Sequence, residues 1–215
     1  MSSPRSGSRR GRPRAADVPA RQTAVLKAAL TELQSSGWGG FTMEAVARRA
    51  GASKETLYSW FGNRDGLVRA LIRRNAESSL ETLTAGLESS GSLETVLQQY
   101  AYELLTLLTG PASVALNRAA MTSPDLAQAL RSEGRHRVGP LVEAFLAEHT
   151  RAGRIDCPDP GGAFAVLYGL VVRDTQIEVL LGADPPTDIQ RRARADEAIT
   201  AFLRLYAPRD HPDGE

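Results

Sequence analysis

The chain holds 215 residues, with 26 Lys+Arg against 25 Asp+Glu and a single cysteine. That length suits one domain or two small ones, and one cysteine excludes an internal disulfide. No apolar run approaches the ~20 residues that span a bilayer, and the N-terminus lacks the apolar core of a secretory signal, so a cytoplasmic protein with no membrane partner is expected. The near-neutral total hides an asymmetry. Residues 1–75 carry 14 basic and 5 acidic side chains, whereas residues 76–215 carry 12 and 20. A basic front and an acidic rear describe a polyanion-binding module joined to a part that does not touch polyanions.

Residues 1–19 are rich in Ser, Arg, Gly and Pro without periodicity and read as a disordered basic arm. Arg5, Arg9, Arg10, Arg12 and Arg14 can follow a DNA backbone or enter a minor groove, or they serve only solubility. A first helix runs from about Pro19 to Ser36 with Leu26, Ala29, Leu30 and Leu33 as its inner stripe, and the glycines around Trp38 end it. Thr42 caps a second, short helix in which Met43, Val46, Ala47 and Ala50 share a face, and Gly51 stops it. Ser53 caps a third, with Leu57, Trp60 and Phe61 to one side and Lys54, Glu55, Thr56, Tyr58 and Ser59 left near the outside. Two apolar-backed helices around a glycine turn form a helix-turn-helix, whose second helix enters the major groove. The head spans residues 20–66.

The run GASKETLYSWFGNRDGL, with its Gly-x-Ser-x-x-x-Leu-Tyr-x-x-Phe spacing and a basic residue three after Phe61, strongly resembles the signature of the TetR family of one-component transcriptional regulators. The resemblance is closest from Thr23 to about Ile72. Two residues depart from it: Glu55 stands where the family often has a small residue, and Arg64 replaces the commoner Lys. By geometry, Ser53, Lys54, Glu55 and Thr56 occupy the first turn that meets base edges. There Lys54 can bond guanine O6 or N7, and Glu55 can accept from cytosine N4. Thr42, Tyr58, Ser59 and Trp60 are spaced to reach the DNA backbone, Trp60 serving equally well as a core aromatic. Arg64 offers a fixed charge to phosphate. The resemblance implies the same division of labour.

Behind the head, residues 67–207 read as a larger helical domain that binds a ligand and dimerises, with 208–215 as a tail. A fourth helix continues to about Leu87, and Ser92 caps a long amphipathic one bearing Val96, Leu97, Tyr100 and Leu104. Further helices are expected over about 112–121, 123–150, 162–181 and 187–206. The fold is all-α, with about nine helices. Polar residues amid apolar ones can line a cavity, and Tyr100, Leu104, Asn117, Phe145 and Tyr168 are the candidate wall. From Ala163 to Val172 the chain is apolar nearly all round and needs cover that one chain does not supply. A homodimer through residues 162–181 and 187–206 follows. On this reading Glu at Val171 or Phe202 weakens the dimer, and the resemblance implies a four-helix bundle from the same segments.

No phosphate loop, metal-ligand spacing or nucleophile–base set is visible, so no cofactor and no enzyme activity are expected. The leading function is a sequence-specific repressor released from a palindromic double-stranded operator by a small-molecule effector. A ligand-independent architectural DNA binder is the first alternative, and a carrier or enzyme with a vestigial head the second.

Overall fold

The computed structural model describes residues 18–88, 90–133 and 135–208. Among them are eleven helices and no strand: α1 (Val18–Gly40), α2 (Met43–Ala50), α3 (Lys54–Phe61), α4 (Arg64–Leu87), α5 (Leu93–Thr109), α6 (Pro111–Ala120), α7 (Pro124–Glu133), α8 (Arg135–Arg151), α9 (Pro160–Val172), α10 (Thr175–Leu181) and α11 (Asp188–Leu205). The expected arm falls outside the described residues apart from Val18 and Pro19, which open α1, and the tail beyond 208 falls outside as well.

The all-α expectation holds, with eleven helices among the described residues where about nine were expected. The single helix expected over 123–150 is two, α7 ending at Glu133 and α8 starting at Arg135. The segment 162–181 also divides. Arg173 adopts φ 45°, ψ −130°, which no helix accommodates, so α9 stops at Val172 and α10 restarts at Thr175. Arg194 of α11 makes that break tolerable. Its guanidinium donates to the carbonyls of Val171 (3.2 Å) and Leu170, filling acceptors that the end of α9 leaves open.

Local sequence explains the remaining boundaries. Thr42, Ser53 and Ser92 accept from the backbone N–H three residues on, as N-caps do. Thr187 and Gln190 form a reciprocal capping box on α11. Gly51 closes α2 in the left-handed region at φ 61°, where a Cβ would be strained. Gly37, at φ 63° and ψ −179°, kinks α1 so that its last turn carries Trp38 over the head.

Two buried clusters organise the chain. The first joins Val25, Ala29 and Leu33 of α1 to Val46 and Ala47 of α2, Leu57 of α3, and Leu67, Val68, Leu71 and Ile72 of α4. It is closed from behind by Leu116, Ala119 and Ala120 of α6 and Leu126 of α7, so the head does not complete its core alone. The inner stripe of α1 is rotated from the expected one. Leu26 and Leu30 are only partly buried, while Glu32 is buried and paired through its Oε2 with Arg49 Nε of α2 at 2.8 Å. The second cluster packs α5, α8, α9 and α11 around Leu97, Tyr100, Leu105, Leu146, Leu167 and Phe202.

Val171 and Phe202 are both fully buried within the chain. Glu at either position would therefore disrupt the fold itself, and the expectation that such changes report on a dimer is corrected. Phe202→Ala is expected to lower stability by about 3–5 kcal/mol, read from the midpoint of urea unfolding.

Candidate functional site

The first turn of α3 is presented to solvent by the packing beneath it. Leu57 is fully buried and anchors the helix, while Lys54, Glu55, Tyr58 and Ser59 are exposed on the opposite side. Thr56 and Trp60 are half-buried. Trp60 lies against the head core with its ring edge-on to Phe61 (6.2 Å, 88°), which is the placement of a packing aromatic. Thr42 and Ser53 use their oxygens as caps, at 3.1 Å from Ala45 N and 3.2 Å from Thr56 N. Each hydroxyl keeps a proton to donate, and Ser53 Oγ already lies 3.0 Å from Thr56 Oγ1.

Two contacts here were not legible in the sequence. Lys54 Nζ donates to Glu44 Oε1, so the first turn of α3 is tied to the first turn of α2. Glu44 is held below the usual carboxylate range chiefly by this hydrogen bond, and Lys54 is raised by the same bond, so both are charged at neutral pH. Glu55 is also held low, by its own backbone N–H first and then by the Ser53 hydroxyl. Arg64 is the second surprise. Its guanidinium sits 3.8 Å from the centre of the Trp38 ring and Nη1 donates to Phe41 O at 3.4 Å. It is half-buried and clamps the 38–41 turn onto α4.

In the rear, a cavity of about 270 Å³ opens between α4, α5, α6, α7, α8, α9 and α10. Tyr100, Leu104, Asn117 and Tyr168 lie in its wall. Phe145 does not. It sits on α8 with its ring 4.3 Å from that of His149, outside the cavity. α4 supplies Ile72, Asn75, Ala76, Ser79 and Leu83, none of which the sequence reading placed in the wall by residue. Their spacing of three and four residues, with Asn75 and Ser79 set into an apolar stripe, was the available signal. Gln176 and Ser113 add polar groups, and Arg131 and Glu133 stand in the wall from α7. Asn117 spends its amide nitrogen on Ser113 O and Oγ (2.9 and 3.3 Å), leaving its carbonyl to accept from an occupant. Arg118, beside it, donates to Val179 O and Leu180 O and so fastens α6 to α10. Most of the wall is aliphatic or aromatic, with a few amides and hydroxyls, as in small-molecule sites.

A three-helix head with an outward-facing reading helix, fused to an all-helical body with an apolar cavity, defines a helix-turn-helix regulator. Comparison with known proteins bears this out. Residues 25–71 match the family described as bacterial regulatory proteins, tetR family, and residues 95–208 match that described as AefR-like transcriptional repressor, C-terminal domain. The TetR transcriptional regulator from Agrobacterium tumefaciens is 35% identical, with a TM-score of 0.68 over 86% of this chain and 94% of its own. The crystal structure of a Mesorhizobium loti protein gives a TM-score of 0.79 at 25% identity, over 87% of this chain and 97% of its own. The HTH-type transcriptional regulator AlkX of Mycobacterium tuberculosis is 29% identical over 112 residues, 51% of this chain and about half (53%) of that protein's length. The chain belongs to the TetR family of transcriptional regulators.

Arg64→Ala is expected to cost about 1–2 kcal/mol through the lost stacking and hydrogen bond. Arg64→Lys should recover little of it, because an ammonium lacks the flat face that covers Trp38. Chemical denaturation of the three proteins measures both.

Proposed function

We propose that the chain is a repressor that holds a palindromic double-stranded operator as a homodimer and releases it when a small molecule enters the cavity. The observation that carries this reading is the course of α4. It begins at Arg64 under the reading helix, gives Leu67 through Ile72 to the head core, and then lines the cavity from Ile72 to Leu83. An occupant that displaces α4 or α6 also moves the surface to which the head is fixed. It shifts the equilibrium only if it binds the DNA-incompetent arrangement more tightly than the other. Base edges would be met by Lys54, Glu55 and Thr56, and the backbone by Thr42, Ser53, Tyr58 and Ser59. Arg64 positions the turn, with phosphate within reach as a second role. The AefR-like description of residues 95–208 supports repression as the sense of regulation.

The dimer face is read from what α9 and α11 leave uncovered. Ala165, Val166 and Gly169 are exposed on α9, as are Ala193, Glu197 and Thr200 on α11, within the segments 162–181 and 187–206. Two heads related by a two-fold axis require half-sites about one helical turn, ~34–36 Å, apart or a multiple of it. The setting is the cytoplasm, where the operator lies, and no helix among the described residues is long and apolar enough to cross a membrane.

Three measurements test this reading. Val166→Glu should shift the protein towards monomer in sedimentation at micromolar concentration while its thermal unfolding stays close to that of the parent. Leu104→Trp, which fills the cavity wall, should abolish effector binding in calorimetry yet leave operator binding intact. With an effector in hand, operator and effector should weaken each other by the same factor, about 5- to 150-fold for a coupling of ~1–3 kcal/mol. Equal effector affinity with and without operator would rule the cavity out as the switch.

A further inference from the structure

Glu44 is the acidic residue on the reading face that the assignment above leaves unused. It is exposed in the first turn of α2, and its Oε1 accepts from Lys54 Nζ across the turn between the two helices. Glu55 stands exposed beside Lys54. The first turns of α2 and α3 therefore show DNA two carboxylates and one ammonium. Such a trio is repelled by phosphate, so it contributes nothing to sequence-independent binding. What it can do is read bases. A carboxylate only accepts, and cytosine N4 is the donor that a G·C pair presents in the major groove, next to the O6 and N7 acceptors of guanine that suit a lysine. A carboxylate and an ammonium held against each other match that neighbouring donor and acceptor.

We infer that the Glu44–Lys54 pair reads one G·C base pair as a unit, Lys54 donating to guanine and Glu44 accepting from the cytosine amino group, which makes Glu44 a specificity-determining residue. This rests on the proposal that α3 enters the major groove. On a wrong sequence Lys54 remains occupied by Glu44, and the carboxylate faces acceptors or phosphates that repel it. Glu44 thus lowers affinity for random DNA more than for the operator.

The experiment selects binding sites for the full chain from a random duplex pool, then repeats the selection with Glu44→Ala, Lys54→Ala, the double variant and Glu44→Gln. The parent should select a G·C pair at one fixed position of each half-site. Glu44→Ala should bind random DNA more tightly and lose preference at that position by about 5- to 150-fold, the range of one good base contact, while other positions keep theirs. Lys54→Ala should lose preference at the same base pair, and the double variant no more than either alone. Glu44→Gln, which keeps an acceptor oxygen without the charge, should retain part of the preference. N4-methylcytosine at that position should weaken the parent and leave Glu44→Ala unaffected. If Glu44→Ala tightens operator and random DNA by one factor and the selected motif is unchanged, Glu44 acts only as a charge and the inference is overturned. If the parent selects no motif at all, the DNA-reading function fails before this question arises.

Discussion

Everything in this fold depends on one stiff helix having two owners. The 24 residues of α4 span roughly 36 Å at 1.5 Å per residue. Its N-terminal third is sealed into the head by Leu67, Val68, Leu71 and Ile72, and its middle forms one side of the rear cavity. The head is bound to the rear a second time, because α6 and α7 give it Leu116, Ala119, Ala120 and Leu126. Close-packed interfaces of this kind transmit displacement instead of absorbing it. Head and body are therefore not beads on a string. Asn117 on the cavity side of α6, Leu116 on its head side and Arg118 at the end of α10 sit on three successive residues, so one short helix touches cavity, head and body together.

The head shows a division between charges that hold the structure and charges that face outward. Arg64 and Arg49 are tethered by Trp38, Phe41 and Glu32, and their charge is partly spent on internal contacts. Lys54, Glu44 and Glu55 remain on the outer face, where ion pairing between exposed groups contributes little to stability. Removing any of the outer three should leave the fold intact. Removing Arg64 or Arg49 should instead lower stability measurably.

Much of this was legible because it was local. The caps at Thr42, Ser53, Ser92 and Thr187 and the stop at Gly51 are encoded within three or four residues of where they act, and they fixed the helix-turn-helix and most boundaries. What escaped depends on residues distant in the chain. The break at Arg173 is sustained by Arg194 from α11, a partner more than twenty residues away, and an unbroken apolar run from Ala163 gives no hint of it. Phe145 was expected in the cavity wall, yet α8 turns it towards His149. The rotation of α1 that buries Glu32 was hidden for the same reason, since a carboxylate on an inner face makes sense only once Arg49 is seen across from it. Of the site, the reading helix was readable as a face, but the Glu44–Lys54 and Arg64–Trp38 contacts exist only after the turns fold.

The Glu32–Arg49 pair also bears on how this sequence can change over generations. Glu32 is 8% exposed, and losing Arg49 would leave a largely buried carboxylate without its ion partner, a larger penalty than the pair's own net contribution. Neither residue can drift alone. A lineage reaches a different solution at these positions only by altering both, for instance to a matched apolar pair of similar volume, or by passing through an intermediate with a weakened α1–α2 contact. Two residues seventeen apart in the chain are therefore inherited as one character, and in related sequences positions 32 and 49 should be seen to vary together or not at all.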